Sequence, residues 1–301
     1  MSGVLQEVAS GVFAYVQPDG SWFINNTGFI TGPDGVVAID SCATEARTRA
    51  YLAAIRTVTA APVSLLVNTH HHPDHTNGNR VLGAVAVIAH TRCRDQMAHA
   101  AGPPPAGLFG AVDWGNIAPV LPRVCFDSRL DLYAGERRIE LLHFGTPAHT
   151  TNDIVAWLPR ERILFAGDLA FNGGTPFALS GSIAGWLDVL GALGELAPAL
   201  VIPGHGAPGG PGVLDETASY LKFVQDAAAK AHAAGMTPLK AAAELDLGRY
   251  AGLSDSERIV GNLHRAYAEL DGRERGSLID DAQCFTDMVA LNGGAPLRCI
   301  A

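Results

Sequence analysis

Thr69-His70-His71-His72-Pro73-Asp74-His75 packs four imidazoles and a carboxylate into seven residues. It follows the apolar run 63–67, which reads as a short buried strand. A loop leaving such a strand can point alternate side chains inward. His70 and His72 then serve one position, and Asp74 and His75 a second. Imidazole and carboxylate are the usual zinc ligands outside thiolate sites. The spacing therefore predicts a loop that serves two metal ions, with His71 turned away as a structural or supporting residue. The plainer alternative is a surface loop rich in histidine, and the set spacing of Asp74 among the imidazoles argues against it.

Three later residues extend the pattern. His149 lies in Gly145-Thr-Pro-Ala-His149-Thr150, just after the strand-like run 138–144. Asp168 closes Ile163-Leu-Phe-Ala-Gly167-Asp168, and His205 sits in Val201-Ile-Pro-Gly204-His205-Gly206. Each reads as a ligand-type residue at the C-terminal end of an apolar strand, beside a glycine that permits a sharp turn. Open α/β sheets place their sites at such strand ends. Singly, each is an ordinary turn residue or helix cap. In the order HxHxDH, His, Asp, His they are far more specific.

Around these motifs the chain alternates strand-like and helix-like stretches. Strands are expected over 12–17, 22–31, 36–40, 63–67, 85–89, 124–132, 138–144, 153–158, 163–165 and 200–203, with helices over 44–59, 91–100 and 182–196. Gly32-Pro-Asp-Gly35 reads as a tight turn. Residues 101–122 are rich in Gly and Pro and show no period; such long loops with apolar tips are more often functional than structural. Beyond 210 the pattern turns helical, over 215–234, 238–245, 254–270 and 277–291, and Ser254 stands at capping-box spacing from Glu257. The reading is an α/β core over 1–210 and a helical C-terminal extension over 211–301, packed on the same domain or forming a small cap.

With 301 residues, 48% apolar and 17% charged, the chain can bury a large core, which excludes disordered and fibrous classes. No apolar run approaches the ~18–20 residues of a membrane span. No basic segment followed by an apolar stretch opens the sequence, so a cytoplasmic location is expected. A net charge of −9 argues against nucleic-acid binding. The five cysteines (Cys42, Cys93, Cys125, Cys284, Cys299) are odd in number and widely spaced, which favours free thiols over disulfides or a thiolate zinc site.

The ordered motif set resembles that of the metallo-β-lactamase-fold metallohydrolases. That resemblance covers residues 10–210 and implies an αββα sandwich with a dinuclear site at one edge of two sheets. It assigns His70, His72 and His149 to the first metal, Asp74, His75 and His205 to the second, and Asp168 to a bridge between them. Asp74 and Asp168 would be the catalytic carboxylates, Asp74 orienting the nucleophile. Two Zn2+ ions are implied, with iron or manganese also suited to an all-His/Asp set. The zinc β-lactamases of the main subclass carry cysteine where this chain has Asp168, which argues against antibiotic hydrolysis.

Further stretches resemble the actinorhodin-type aromatic polyketide cyclases of the same fold. They include Val112-Asp-Trp-Gly115, Thr175-Pro-Phe-Ala-Leu-Ser-Gly-Ser182, Gly204-His-Gly206 with Gly210-Pro-Gly212, and Asn262-Leu-His-Arg-Ala266. This resemblance implies a cyclase and thioesterase acting on a polyketide thioester carried by an acyl carrier protein. It would close a later ring by aldol condensation and dehydration and cleave the thioester. Folding a flexible polyketone needs an apolar pocket, for which Leu108, Phe109, Trp114, Phe171, Phe177 and Leu179 are the candidate lining. A generic thioester or lactone hydrolase of the glyoxalase II type shares the same ligand set and stays open. So does a homo-oligomeric state. Outside the motifs, His264 reads as a hydrogen-bonded helix residue. Arg258 and Arg265, seven apart, read as one solvated helix face, or as a contact for an acidic carrier protein.

Overall fold

The computed structural model describes residues 3–99 and 107–301. Twelve strands form two sheets. The first runs in the order β1 (Val4–Ala9), β2 (Val12–Val16), β3 (Thr27–Gly32), β4 (Gly35–Ile39), β5 (Val63–Val67), β6 (Ala86–His90), β7 (Val124–Phe126). The second holds β8 (Arg129–Ala134), β9 (Arg137–Leu142), β10 (Val155–Leu158), β11 (Ile163–Asn172) and β12 (Leu200–Gly206), with β11 and β12 parallel. The helices are α1 (Glu45–Val58), α2 (Pro73–Thr76), α3 (Asn79–Leu82), α4 (Thr91–His99), α5 (Ile183–Glu195), α6 (Gly212–Ala233), α7 (Pro238–Glu244), α8 (Arg258–Leu270) and α9 (Asp281–Leu291).

Strand alternation builds the layers. Along β10, Ala156 and Leu158 face the first sheet in one core with Val12, Ile30, Val37 and Val67, while Val155 and Trp157 face outward. The outward residues are covered by α5, α6 and α8, so β10 is buried on both faces. On the far side, Tyr51 and Ile55 of α1 pack on Phe29, Ala38 and Leu66. The result is the expected αββα sandwich. Among the described residues, no helix is long and apolar enough to cross a membrane, and all five cysteines are free.

The helical tail shares the outer core with α5. Glu269 of α8 accepts hydrogen bonds from the backbone N–H groups of Ile183 (2.7 Å) and Ala184 (3.2 Å), so it caps α5. Asn262 accepts from Ala178 N and donates to Pro176 O. The segment 175–184 is thereby clamped onto α8.

Several expected boundaries move. Residues 22–26 are not strand, because Phe23 takes a left-handed φ of 63°. The run 124–132 is two strands in different sheets, β7 and β8, with the crossing at Asp127 and Ser128. Strand β11 continues to Asn172, so Asp168 sits inside it, at a register irregularity between Gly167 and Phe171. The expected loop after β5 contains α2 and α3. The Ser254–Glu257 capping box does not form: Asp255 has φ 54°, and α8 starts only at Arg258. The last helix starts at Asp281, capped by Asp280, rather than at 277. The first part of the loop expected over 101–122 lies outside the described residues, as does the last residue of the helix expected over 91–100. Residues 107–122 form no strand or helix beyond a bridge between Phe109 and Leu297.

Trp186 anchors α5. Its ring is fully buried and its Nε1 donates to Leu169 O at 3.0 Å. Trp186→Ala should lower unfolding stability by about 3–5 kcal/mol in urea titration, the usual cost of truncating a buried aromatic. A loss below ~1 kcal/mol would contradict this packing.

Candidate metal centre

The His-rich loop is fixed by its base. Asp40, at the end of β4, accepts from Thr69 N and Thr69 Oγ1 (both 2.7 Å) and contacts His75 Nδ1 at 2.8 Å. Asn68 and Asn79 bond each other through their side-chain amides, and both Asn68 and Ser41 donate to His75 O. Pro73 opens α2, where its missing N–H costs nothing. These bonds turn His70, His72, Asp74 and His75 toward the second sheet, where β11 and β12 deliver Asp168 and His205. A Cβ at Gly204 would collide with Asp168 Oδ1 and with the backbone of Gly167, so only glycine lets the two strands approach this closely.

The structure brings all seven ligand candidates together in two groups. His70, His72, His149 and Asp168 form one; Asp74, His75 and His205 form the other. In each group the ligand atoms lie within 4.8 Å of one another. Asp168 lies between them, with Oδ1 3.1 Å from His75 Nε2 and Oδ2 3.4 Å from both His149 Nε2 and His205 Nε2.

Each imidazole is held by its outer nitrogen. His70 Nδ1 meets Thr69 Oγ1 (3.1 Å), His149 Nδ1 meets Phe177 O (2.7 Å), and His205 Nδ1 meets Gly20 O (3.1 Å). His72 is reversed, with Nε2 3.4 Å from Ser180 Oγ and Nδ1 facing inward. A carbonyl accepts only from an N–H, so the tethers on His149 and His205 place the Nδ1 proton outside and turn Nε2 toward the cluster. His149 Nε2 then stands 2.9 Å from His72 Nδ1. His70 Nε2, His75 Nε2 and Asp168 Oδ1 are buried without any hydrogen-bond partner. Orphaned buried atoms cost about 1–3 kcal/mol each. A divalent cation would satisfy all of them, so these residues fit a metal.

The electrostatics agree. Burial pushes His70 and His72 well below the usual imidazole range, which keeps them in the neutral, ligating form. Burial acts the same way on His75 and His205, but the carboxylates of Asp168 and its neighbours outweigh it, taking His205 up to about 9. Burial opposes ionisation of Asp168, yet His205, His75 and His149 hold it well below the usual carboxylate range. The field that draws protons onto His75 and His205 is the field that attracts a cation.

A cavity of about 780 Å³ opens onto this cluster. Leu108, Phe109, Phe171, Phe177 and Leu179 border it, as do Trp22, Phe23, Phe285 and Val289. Trp114, expected in the lining, stands behind it with its ring edge-on to Phe23 at 5.1 Å, and its carbonyl accepts from Glu45 N. His71 is in neither ligand group, as read; it borders the cavity, with Nδ1 3.0 Å from Asn152 Nδ2. His264 contacts Asp287 Oδ2 at 2.7 Å, on the helix as read. Arg258 and Arg265 are not solvated, being 2% and 1% exposed. Arg265 donates to Leu179 O and Ser277 O. Arg258 borders the cavity. Trp22 and Phe23 were hidden in a stretch that reads as strand, and Phe285 and Val289 in an ordinary helical period.

A family model described as the metallo-beta-lactamase superfamily matches residues 20–205, more than half of the chain. The chain belongs to that superfamily, and its clustered His and Asp side chains are able to bind metal ions. It is 23% identical over 241 residues to a linear primary-alkylsulfatase of a Pseudomonas strain, covering 67% of this chain and 45% of that protein. It is 29% identical over 145 residues to a hydroxyacylglutathione hydrolase of Rhodospirillum rubrum, covering 48% of each. The chain thus spans about half the length of the curated relatives it matches. A metallo-beta-lactamase from Pontibacter korlensis superposes with a TM-score of 0.61 at 21% identity, over 73% of this chain and 99% of that one. That likeness is one of fold.

Asp40 touches no substrate-facing surface but fixes His75. Asp40→Ala should weaken metal binding about 10–100-fold, measured by competition with a chromophoric chelator. Unchanged affinity would show that His75 needs no such anchor.

Proposed function

We propose that this chain is a dinuclear metal-dependent cyclase and thioesterase acting on an aromatic polyketide thioester presented by an acyl carrier protein. The observation that carries the reading is the large aromatic-walled cavity that ends on the His/Asp cluster. His70, His72 and His149 would hold one ion, Asp74, His75 and His205 the other, with Asp168 shared. When bound, a pair of divalent ions, zinc being the best match to this donor set, supplies Lewis-acid polarisation of carbonyls and a water ionised near neutral pH.

The chain's own side chains do the rest. Phe109, Phe171 and Phe177 offer flat apolar surface that can hold a polyketone in one folded conformer and exclude water, a positioning effect worth several kcal/mol of barrier, ~7–11 in the best cases. Asp74 borders the cavity, with Oδ2 engaged by His205 Nε2 at 3.2 Å. Its Oδ1 is left to orient the nucleophile or to take a proton from the substrate.

A second reading is a generic thioester or lactone hydrolase, favoured by the hydroxyacylglutathione hydrolase relative. Glutathione carries two carboxylates and calls for a basic clamp. Among the described residues, the cavity wall holds Arg258 as its sole Lys or Arg, and that guanidinium is already paired with Asp255 at 3.0 Å.

The test is turnover of a bicyclic β-polyketone thioester mimic by metal-loaded protein, read by mass spectrometry. A ring-closed product lighter by one water is expected, either still carrying its thioester or hydrolysed to the cyclised acid and free thiol. Free acid and thiol without ring closure would replace the cyclase reading with the hydrolase. His72→Ala or Asp168→Ala should lower turnover at least ~100-fold and reduce metal content while the far-ultraviolet circular dichroism is kept; full activity in either variant would refute the ligand assignment.

A further inference from the structure

His71 is the histidine of the loop that joins neither ligand group, and the centre described above gives it no task. It is half-buried and borders the cavity. Its ring centroid stands 4.7 Å from that of His72 and 6.5 Å from that of His70. It therefore flanks the group formed by His70, His72, His149 and Asp168.

The hydrogen bonds of Asn152 decide where the His71 proton sits. Asn152 is fully buried, just after His149 in the chain. Its Oδ1 accepts from His71 N at 3.1 Å. A backbone N–H only donates, so the amide oxygen faces it and the amide nitrogen takes the other side. That nitrogen, Nδ2, stands 3.0 Å from His71 Nδ1. An amide NH2 also only donates, so Nδ1 is the acceptor and carries no proton. The ring is then neutral, with its single N–H at Nε2. This is the opposite tautomer to that of His149 and His205, whose Nδ1 protons face carbonyls. Among the described residues, nothing hydrogen-bonds His71 Nε2, and, unlike Nε2 of His70 and His75, it is not sealed from solvent.

An imidazole locked in this form is a donor and not a base, because the nitrogen that could take up a proton is occupied by Asn152. Its N–H is fixed before any reaction begins, at the polar end of a cavity whose other walls are mostly apolar. A preorganised donor in such a place favours an oxygen that gains negative charge during the reaction. A neutral imidazole can polarise a carbonyl in this way. We propose that His71 is a catalytic hydrogen-bond donor, its Nε2–H meeting the substrate oxygen that gains charge at the reacting carbon, and that Asn152 is the positioning residue that locks its tautomer. The proton stays on Nε2 throughout. This rests on the proposed reading of the cavity as a site for a carbonyl substrate, and it assigns to that substrate an oxygen beside the His72 side of the cluster.

Two measurements on the zinc-loaded protein test it. The first is a long-range proton–nitrogen correlation spectrum with isotope-labelled histidine, the His71 signals being identified by their loss in His71→Gln. The Nε2–H tautomer is expected, and the Nδ1–H tautomer overturns the proposal. Asn152→Leu should release the ring into a mixture of both forms; an unchanged tautomer overturns the role given to Asn152. The second measurement is steady-state kinetics and zinc content, with the bicyclic β-polyketone thioester mimic and with a simple aryl thioester as substrates. His71→Phe should lower kcat about 100-fold, the usual cost of removing one such donor, with KM within about threefold and zinc content as in wild type. His71→Gln offers an N–H in place of Nε2 and cannot act as a base, so it should recover kcat to within about tenfold of wild type. An unchanged kcat in His71→Phe overturns the proposal while leaving the cavity reading intact. Zinc lost along with activity in both variants also overturns it, and makes His71 a support for the ligand loop. His71→Gln as impaired as His71→Phe, with zinc retained, overturns the donor role in favour of proton transfer. If wild type turns over neither substrate, the proposal falls together with the reading of the cavity.

Discussion

Seven polar side chains, all but the half-buried His72 fully buried, converge on one edge of two sheets, and three of their inner atoms, His70 Nε2, His75 Nε2 and Asp168 Oδ1, have no hydrogen-bond partner. Such an arrangement is unstable by itself, because lone pairs and carboxylates crowd together away from water. The surrounding structure is organised to hold it. Asp40, Thr69, Phe177 and Gly20 each grip the outer nitrogen of an imidazole. The Asn68–Asn79 amide pair stiffens the loop beneath, and Gly204 leaves room for Asp168. A buried cluster maintained at that cost makes physical sense as a cation site.

The two sheets and the helical tail divide the labour. Strands β4 and β5 in one sheet and β11 and β12 in the other fix the polar floor to within hydrogen-bond tolerances. Apart from Phe171 on β11, most of the apolar wall comes from elsewhere: Trp22 and Phe23 from an irregular turn, Leu108 and Phe109 from a loop bridged to Leu297, and Phe285 and Val289 from α9. The ligand cluster and most of the cavity wall are therefore supplied by separate parts of the chain. A fold shared with a metallo-beta-lactamase can in this way carry a different substrate class.

The floor was legible in the sequence because its signal is local. HxHxDH lies within six residues, Asp168 and His205 each sit beside a glycine in an apolar run, and His149 follows another such run four residues after Gly145. Asp40 was not legible, since a single Asp after a strand has no distinguishing pattern. Arg258 was misread for a different reason. Helical period places it on the same face as Arg265, but only the tertiary structure puts Trp22 over that face. Trp114 shows the reverse error: an aromatic in a loop looked like a wall residue, and it packs behind Phe23 instead. The start of α8 was missed because the left-handed backbone at Asp255 overrides the cap spacing of Ser254. The split of 124–132 into two strands is a choice between sheets, which local pattern does not encode.

The central claim is that the buried His/Asp cluster is a two-ion centre. Equilibrium dialysis of the protein against Zn2+, followed by mass-spectrometric metal analysis, tests it most directly. The account predicts two equivalents of metal per chain in the wild type and none retained when His70 and His205, one from each group, are both replaced by alanine. No bound metal in the wild type, or the same stoichiometry in the double variant, would contradict it.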